Sequence, residues 1–128
     1  MGYRSTLFFK CTNDVLPELY ATVVKADLQD SIYDFVQDDT YTCFTLSDLK
    51  WYDSYADVQL VNSKLAELGA NNQATMIREG EEPGDIEIYG ANPYALHLYY
   101  SMVLKFNGFG YGNDALPILQ KSHPELFI

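Results

Sequence analysis

Cysteine is scarce, with Cys11 and Cys43 the only two in 128 residues. Each stands in a run that reads as a strand, the usual place of a small buried thiol, so a disulfide framework is excluded as the source of stability. Histidine is equally sparse. His97 and His123 stand apart from each other and from cysteine, which leaves no zinc pattern. No stretch approaches the roughly 18 apolar residues of a membrane span. The opening MGYRSTLFFKC has a short apolar run, broken by Lys10, that lacks the length and flanks of a signal peptide. A soluble, cytoplasmic protein is expected.

Positive charge is also in short supply: eight Lys and Arg face eighteen Asp and Glu, for a net charge of -10. That balance opposes phosphate neutralisation, so direct nucleic-acid binding and attachment to an anionic membrane are not expected, and basic partners or cations are favoured. The carboxylates do not follow the alternating spacing of an EF-hand loop. The serines lack a nucleophile-elbow context, and Gly108, Gly110 and Gly112 lack the spacing and lysine of a phosphate loop. No metal, no cofactor and no catalytic residue is therefore assigned. Glu79 and Asp85 would serve acid–base chemistry only in a cleft holding them about 5–10 Å apart, and no pattern marks such a cleft.

The chain does have enough apolar character, 48% of residues, to form one core over residues 1–128. Tyr3 to Cys11 reads as a central strand. A helix capped by Thr12 or Asn13 follows, with Pro17 in its first turn and an apolar stripe of Leu16, Leu19, Tyr20, Val23 and Val24. Ile32 to Val36 and Thr40 to Leu46 form a hairpin around Asp38-Asp39. A second helix starts near Asp53 or Ser54, turns Val58, Val61, Leu65 and Leu68 inward, and stops at Gly69 in the left-handed conformation. Gln73 to Glu79 is the third main strand, and GEEPGD leads to Ile86 and Ile88. From Tyr94 to Phe106 the even positions are all apolar, which favours a long strand, although Asn92-Pro93 resembles a helix start. NGFGYGN is a loop and Asp114 to Gln120 a short helix. The expected fold class is α+β: two layers, with two amphipathic helices on a mainly antiparallel sheet of four to five strands.

The acids cluster. Asp27, Asp30, Asp34, Asp38, Asp39, Asp48, Asp53 and Asp57 share their stretch with one base, Lys50, and Glu79, Glu81, Glu82, Asp85 and Glu87 form a second group. The plain reading is a solvated surface. The functional one is a pair of patches that meet a basic protein cleft or imitate a nucleic-acid backbone. Eleven tyrosines are present, and tyrosine is enriched in protein interfaces. Trp51, Tyr52 and Tyr55 precede the second helix, and Phe109 and Tyr111 ride on the glycine loop. The candidate partner-binding residues are accordingly Asp34, Asp38, Asp39, Asp48, Trp51, Tyr52, Asp53, Tyr55, Asp57, Glu79, Glu81, Glu82, Asp85, Phe109 and Tyr111.

Three segments, MGYRS, LKWYDSYADVQLV and IREGEEPGDIEIYG, together resemble a group of small phage- and prophage-encoded proteins. That group has a GYRS-like first strand, a KWY-D-Y-x-D-V segment and an R-x-G-E acidic loop with D-I-E. The matched positions are Gly2 to Ser5, Lys50 to Tyr52, Asp53, Tyr55, Asp57, Val58, Arg78, Gly80, Glu81, Asp85 and Glu87. Here Glu79 stands where the group more often has an apolar residue. The resemblance implies an origin rather than a mechanism. Small acidic phage proteins often occlude a host or defence protein, as anti-CRISPR and anti-restriction proteins do, so the expected function is inhibition of such a protein in the host cytoplasm. Two alternatives stay open: a nucleotide-capturing sponge or small enzyme with Lys50, Trp51 and Arg78 around a pocket, and a phage structural component.

Overall fold

The computed structural model describes residues 3–82 and 84–98. Five strands form one antiparallel sheet in the order β2-β3-β1-β4-β5. They are β1 (Ser5–Thr12), β2 (Ile32–Gln37), β3 (Tyr41–Leu49), β4 (Ala74–Glu79) and β5 (Ile86–Gly90). Helix α1 (Leu16–Lys25) joins β1 to β2, and α2 (Ala56–Gly69) joins β3 to β4. Since β3 is antiparallel to both β1 and β2, the first β-α-β unit is split by a strand inserted between its halves. This is the ferredoxin-like connection, here extended by β5.

Alternation along the strands sets the two faces. Leu7, Phe9 and Cys11 of β1, Phe44 and Leu46 of β3, and Ala74 and Met76 of β4 form one buried cluster with Leu19 and Val23 of α1 and Val58, Val61, Leu65 and Leu68 of α2. Phe9 and Phe44 stack at the centre, with centroids 4.7 Å apart. The expected α+β fold is therefore the observed one, and the inner face of α2 is the expected one. On the other face Phe8 and Ile77 are buried, and Lys10 lies over the Tyr41 ring with its Nζ donating to the carbonyl of His97 at 3.2 Å.

Several local expectations are corrected. Neither Thr12 nor Asn13 caps α1, whose N-cap position is Val15, without a side-chain bond. Asn13 instead accepts from Thr42 Oγ1 at 2.7 Å and donates to the carbonyl of Asp38 at 2.9 Å, so a longer-range contact takes the side chain away from the helix. Tyr20 and Val24 of the anticipated apolar stripe are exposed, because α1 turns Leu19, Thr22 and Val23, with part of Leu16, toward the core. Helix α2 begins after Tyr55, later than Asp53 or Ser54. Gly69 is its last residue, and the left-handed residue is Asn72 (φ 55°). Gly69 is required for a different reason: a Cβ there would lie 2.5 Å from the backbone nitrogen of Ala91.

Over 94–98 the anticipated long strand is absent. Pro93–Leu96 is a 3₁₀ turn in which Asn92 Oδ1 accepts from the Tyr94 amide at 2.9 Å, and His97 ends it at φ 57°. A capping side chain and the fixed φ of proline outweigh the period-two pattern. Leu96 and Leu98 are nevertheless buried. The remainder of that segment, the glycine loop and the helix at 114–120 lie outside the described residues.

Cys11 and Cys43 are both free thiols. Cys43 pairs with Lys10 rather than Cys11, so the thiols project from opposite faces of the sheet. Burial pushes the Cys11 thiol up to about 12. In the native protein at neutral pH, iodoacetamide should leave Cys11 unmodified over the time that alkylates it fully in urea, as read by mass spectrometry. Gly69→Ala should lower stability by about 1–3 kcal/mol in urea unfolding, although alanine is the better helix former, because the added methyl meets backbone that cannot retreat.

Candidate functional site

Arg78 sits on β4 opposite Leu7 of β1 and Glu87 of β5, so alternation directs it to the helix-bearing face at the end of the core. Its side chain is only 8% exposed. A buried guanidinium is tolerable only when paired, and here Nε donates to Glu87 Oε1 at 2.5 Å, Nη2 to Asp85 Oδ1 at 2.5 Å and Nη1 to Ser5 Oγ at 2.9 Å. Asp85 is in turn engaged by Tyr3, whose hydroxyl donates to Oδ2 at 2.6 Å and accepts from the Glu82 amide at 3.1 Å. The Tyr3 amide donates to Tyr52 Oη at 2.8 Å, and the Arg4 amide to Glu81 Oε1 at 2.8 Å. Gly80 leaves room for this knot, since a Cβ there would collide with the Tyr3 ring and the Asp85 carboxylate.

Burial alone would raise the Asp85 carboxyl. The hydrogen bonds from Arg78 and Tyr3, with the charge of Arg78, outweigh it and hold the group below the usual carboxylate range. The Tyr3 hydroxyl is raised by burial and by its bond to Asp85.

Residues far apart in the sequence thus converge in space: Tyr3, Arg4 and Ser5, Tyr52, and Arg78 with Glu81, Glu82, Asp85 and Glu87. Next to the knot, Tyr52 and Tyr55 form an edge-to-face pair with centroids 5.3 Å apart, 37% and 40% exposed. Asp53 is exposed between them, and Asp57 supports the first turn of α2 by accepting from the Val58 amide at 2.8 Å. The Tyr89 hydroxyl is pushed up to about 12, first by burial and then by the charges of Glu87 and Asp53. That face, with Tyr52, Asp53, Tyr55, Asp57 and Glu87 around the knot, is the candidate binding surface.

Other predicted site residues do not join it. Trp51 is 7% exposed and belongs to the core, so it anchors the segment from inside rather than meeting a partner. Glu79 is buried and projects from the opposite face of β4 to Arg78, while Asp85 is committed to Arg78 and Tyr3, so the two do not form an acid–base pair. Asp38 and Asp39 are exposed in the β2–β3 turn at the Thr12 end of β1, far along the sheet from the Ser5 end where Arg78 lies. Asp38 closes that turn by accepting from the amides of Thr40 at 2.8 Å and Tyr41 at 2.6 Å, which keep its carboxyl low. Asp34 lies on β2, the edge strand remote from β5. Asp48, in the left-handed conformation, offers its carbonyl to Arg4 Nη1 at 3.1 Å, and Glu82 is exposed on the acidic loop. Phe109 and Tyr111 lie outside the described residues.

Tyr3, Ser5 and Glu87 were not among the predicted site residues. All three fall in the segments singled out in the sequence, and for Glu87 the hairpin pairing of β4 with β5 adds a signal, since it sets Glu87 opposite a strand arginine that must be neutralised. Among the described residues no cluster of three metal-ligating side chains occurs, and no helix is long and apolar enough to cross a membrane. The chain matches no protein-family model, no curated protein and no solved structure.

Asp85→Asn should destabilise the protein by about 1–3 kcal/mol. This is below the 3–5 kcal/mol of a fully buried pair, because the Asp85 and Glu87 side chains remain 34% and 50% exposed. The depressed carboxyl contributes stability that is complete above the unfolded-state value of about 3.9 and disappears as pH falls through the lower folded-state value. Urea titrations between neutral pH and the acid limb should therefore show a shallower acid loss for Asp85→Asn than for the wild type.

Proposed function

We propose that the protein acts by stoichiometric binding rather than catalysis, covering a basic surface on a host or defence protein in the manner of anti-CRISPR and anti-restriction inhibitors. The observation that carries this reading is the half-exposed Tyr52–Tyr55 pair in a segment that also holds Asp53 and Asp57. Aromatic anchors in a segment with an excess of one charge sign suit a partner of the opposite sign. The resemblance to phage proteins supports the same reading, because its matched residues build the knot on which this face rests. Capture of a nucleotide through Lys50, Trp51 and Arg78 is less well supported, since Trp51 is in the core and the Arg78 guanidinium is engaged by Asp85, Glu87 and Ser5.

The test is a pull-down from bacterial lysate at low and at physiological salt, followed by calorimetry with the captured protein. Tyr55→Ala should weaken that complex by about 30-fold, the size of a 2 kcal/mol hot spot, with its thermal midpoint little changed. Affinity should also fall as salt rises. An unchanged dissociation constant for Tyr55→Ala, or no specific partner at either salt concentration, would sink the proposal.

A further inference from the structure

Five large apolar or aromatic side chains stand exposed among the described residues: Tyr20, Val24, Phe35, Tyr52 and Tyr55. The last two belong to the face above. The first three gather at the other edge of the sheet, where α1 runs beside β2. Between them lies a groove of about 560 Å³ lined by Leu16, Pro17, Tyr20, Gln29, Ile32 and Phe35.

Phe35 is 47% exposed yet held in place, because its ring stacks on Phe44 at 5.9 Å and Phe44 stacks on Phe9 in the core. A rigid aromatic at the mouth of a groove loses little freedom on binding, which favours affinity. Strand β2 is also an edge. Among the described residues it pairs with β3 alone; a register shift lies between Ile32 and Asp34, but from Asp34 to Gln37 the register is regular, and the strand contains neither proline nor lysine, two residues that often block an edge.

Charge identifies the occupant. Exposed Asp27 and Asp30 stand before β2 and exposed Asp38 and Asp39 after it, and no Lys or Arg occurs between Lys25 and Lys50. A second copy of this chain adding β2 to β2 would bring these carboxylates together, and like charges across a strand pair destabilise it. We propose that the β2 edge and its groove bind an extended, basic segment of a partner protein. The segment adds a strand to the sheet, seats an apolar side chain against Phe35 and Tyr20, and places Lys or Arg beside the flanking aspartates. This site is independent of the Tyr52–Tyr55 face and stands or falls separately from it.

The probe is a short peptide alternating Lys with Val and Phe. Its control is the same peptide with backbone N-methyl groups along one edge, which keeps charge and side chains but removes the strand-pairing donors. In amide-resolved NMR titrations of the full chain, the unmodified peptide should shift and slow the exchange of amides within Ile32–Gln37 and bind at least about tenfold tighter than the control. Phe35→Ala should reduce that affinity by a similar factor. Tyr20→Ala, which leaves the Phe9–Phe44–Phe35 stack intact, should do so as well, and Tyr55→Ala should not. Equal binding of the two peptides, absence of binding, or shifts confined to Tyr52 and Tyr55 would overturn the proposal. So would a wild-type dimer in sedimentation that Tyr20→Ala dissociates, because the occupant would then be a second copy.

Discussion

The buried guanidinium of Arg78 is the constraint on which one end of the molecule depends. A charge withdrawn from water at the end of a hydrophobic core must find counter-charges, and the strand ladder alone supplies only Glu87. Asp85 reaches the site only if the acidic loop folds back, and Ser5 only if β1 keeps its register. Once Asp85 is in place its second oxygen receives Tyr3, the Tyr3 amide receives Tyr52, and Tyr52 supports Tyr55. A chain of contacts thus links an ion pair inside the molecule to an aromatic pair on its surface. The glycine at position 80 belongs to the same logic, since any side chain would separate Tyr3 from Asp85.

The same pairing shapes the surface charge. Of the few cations, Arg78 is engaged by Asp85 and Glu87, Lys64 by Glu18 and Glu67, and Lys10 is buried over Tyr41. Fixed in these places, these three do little to shade the carboxylates of the β2–β3 turn, while exposed Lys50 stands beside Asp53. The excess of carboxylates is clearest at the β2 edge, where no Lys or Arg occurs between Lys25 and Lys50.

How much of this was legible in the sequence depends on the range of the interaction. The inner face of α2 follows from the spacing of Val58, Val61, Leu65 and Leu68, because helix periodicity and burial are the same statement. Alternation and β-branched or aromatic runs locate β1 to β4, but the same alternation misleads at 94–98, where a capped proline turn stands instead. What escaped were contacts set by tertiary neighbours. Asn13 reads as a cap but is taken by the β2–β3 turn, and Gly69 reads as a stop but is selected by the backbone of Ala91. Trp51 reads from the sequence as a core residue more readily than as a binding one, and the core is where it lies. The candidate face was half legible: Tyr52, Asp53, Tyr55 and Asp57 are contiguous in sequence. Tyr3, Ser5 and Glu87 come from distant strands and are joined only by the demands of Arg78.

The position of β1 has a further consequence for how the chain assembles. It is the central strand, yet its partners come from far along the chain: Phe8 lies opposite Thr45 on one side and Ile77 on the other. Closing such long loops costs entropy before any contact returns it, so the sheet is slow to form compared with a helical bundle of the same length. During synthesis Leu7 and Phe9 therefore wait, with one side of their backbone unpaired even after β3 is made, until β4 has left the ribosome. A chain that stalls before Ala74 presents an apolar strand lacking a neighbour, the kind of species that chaperones hold and that other strands capture.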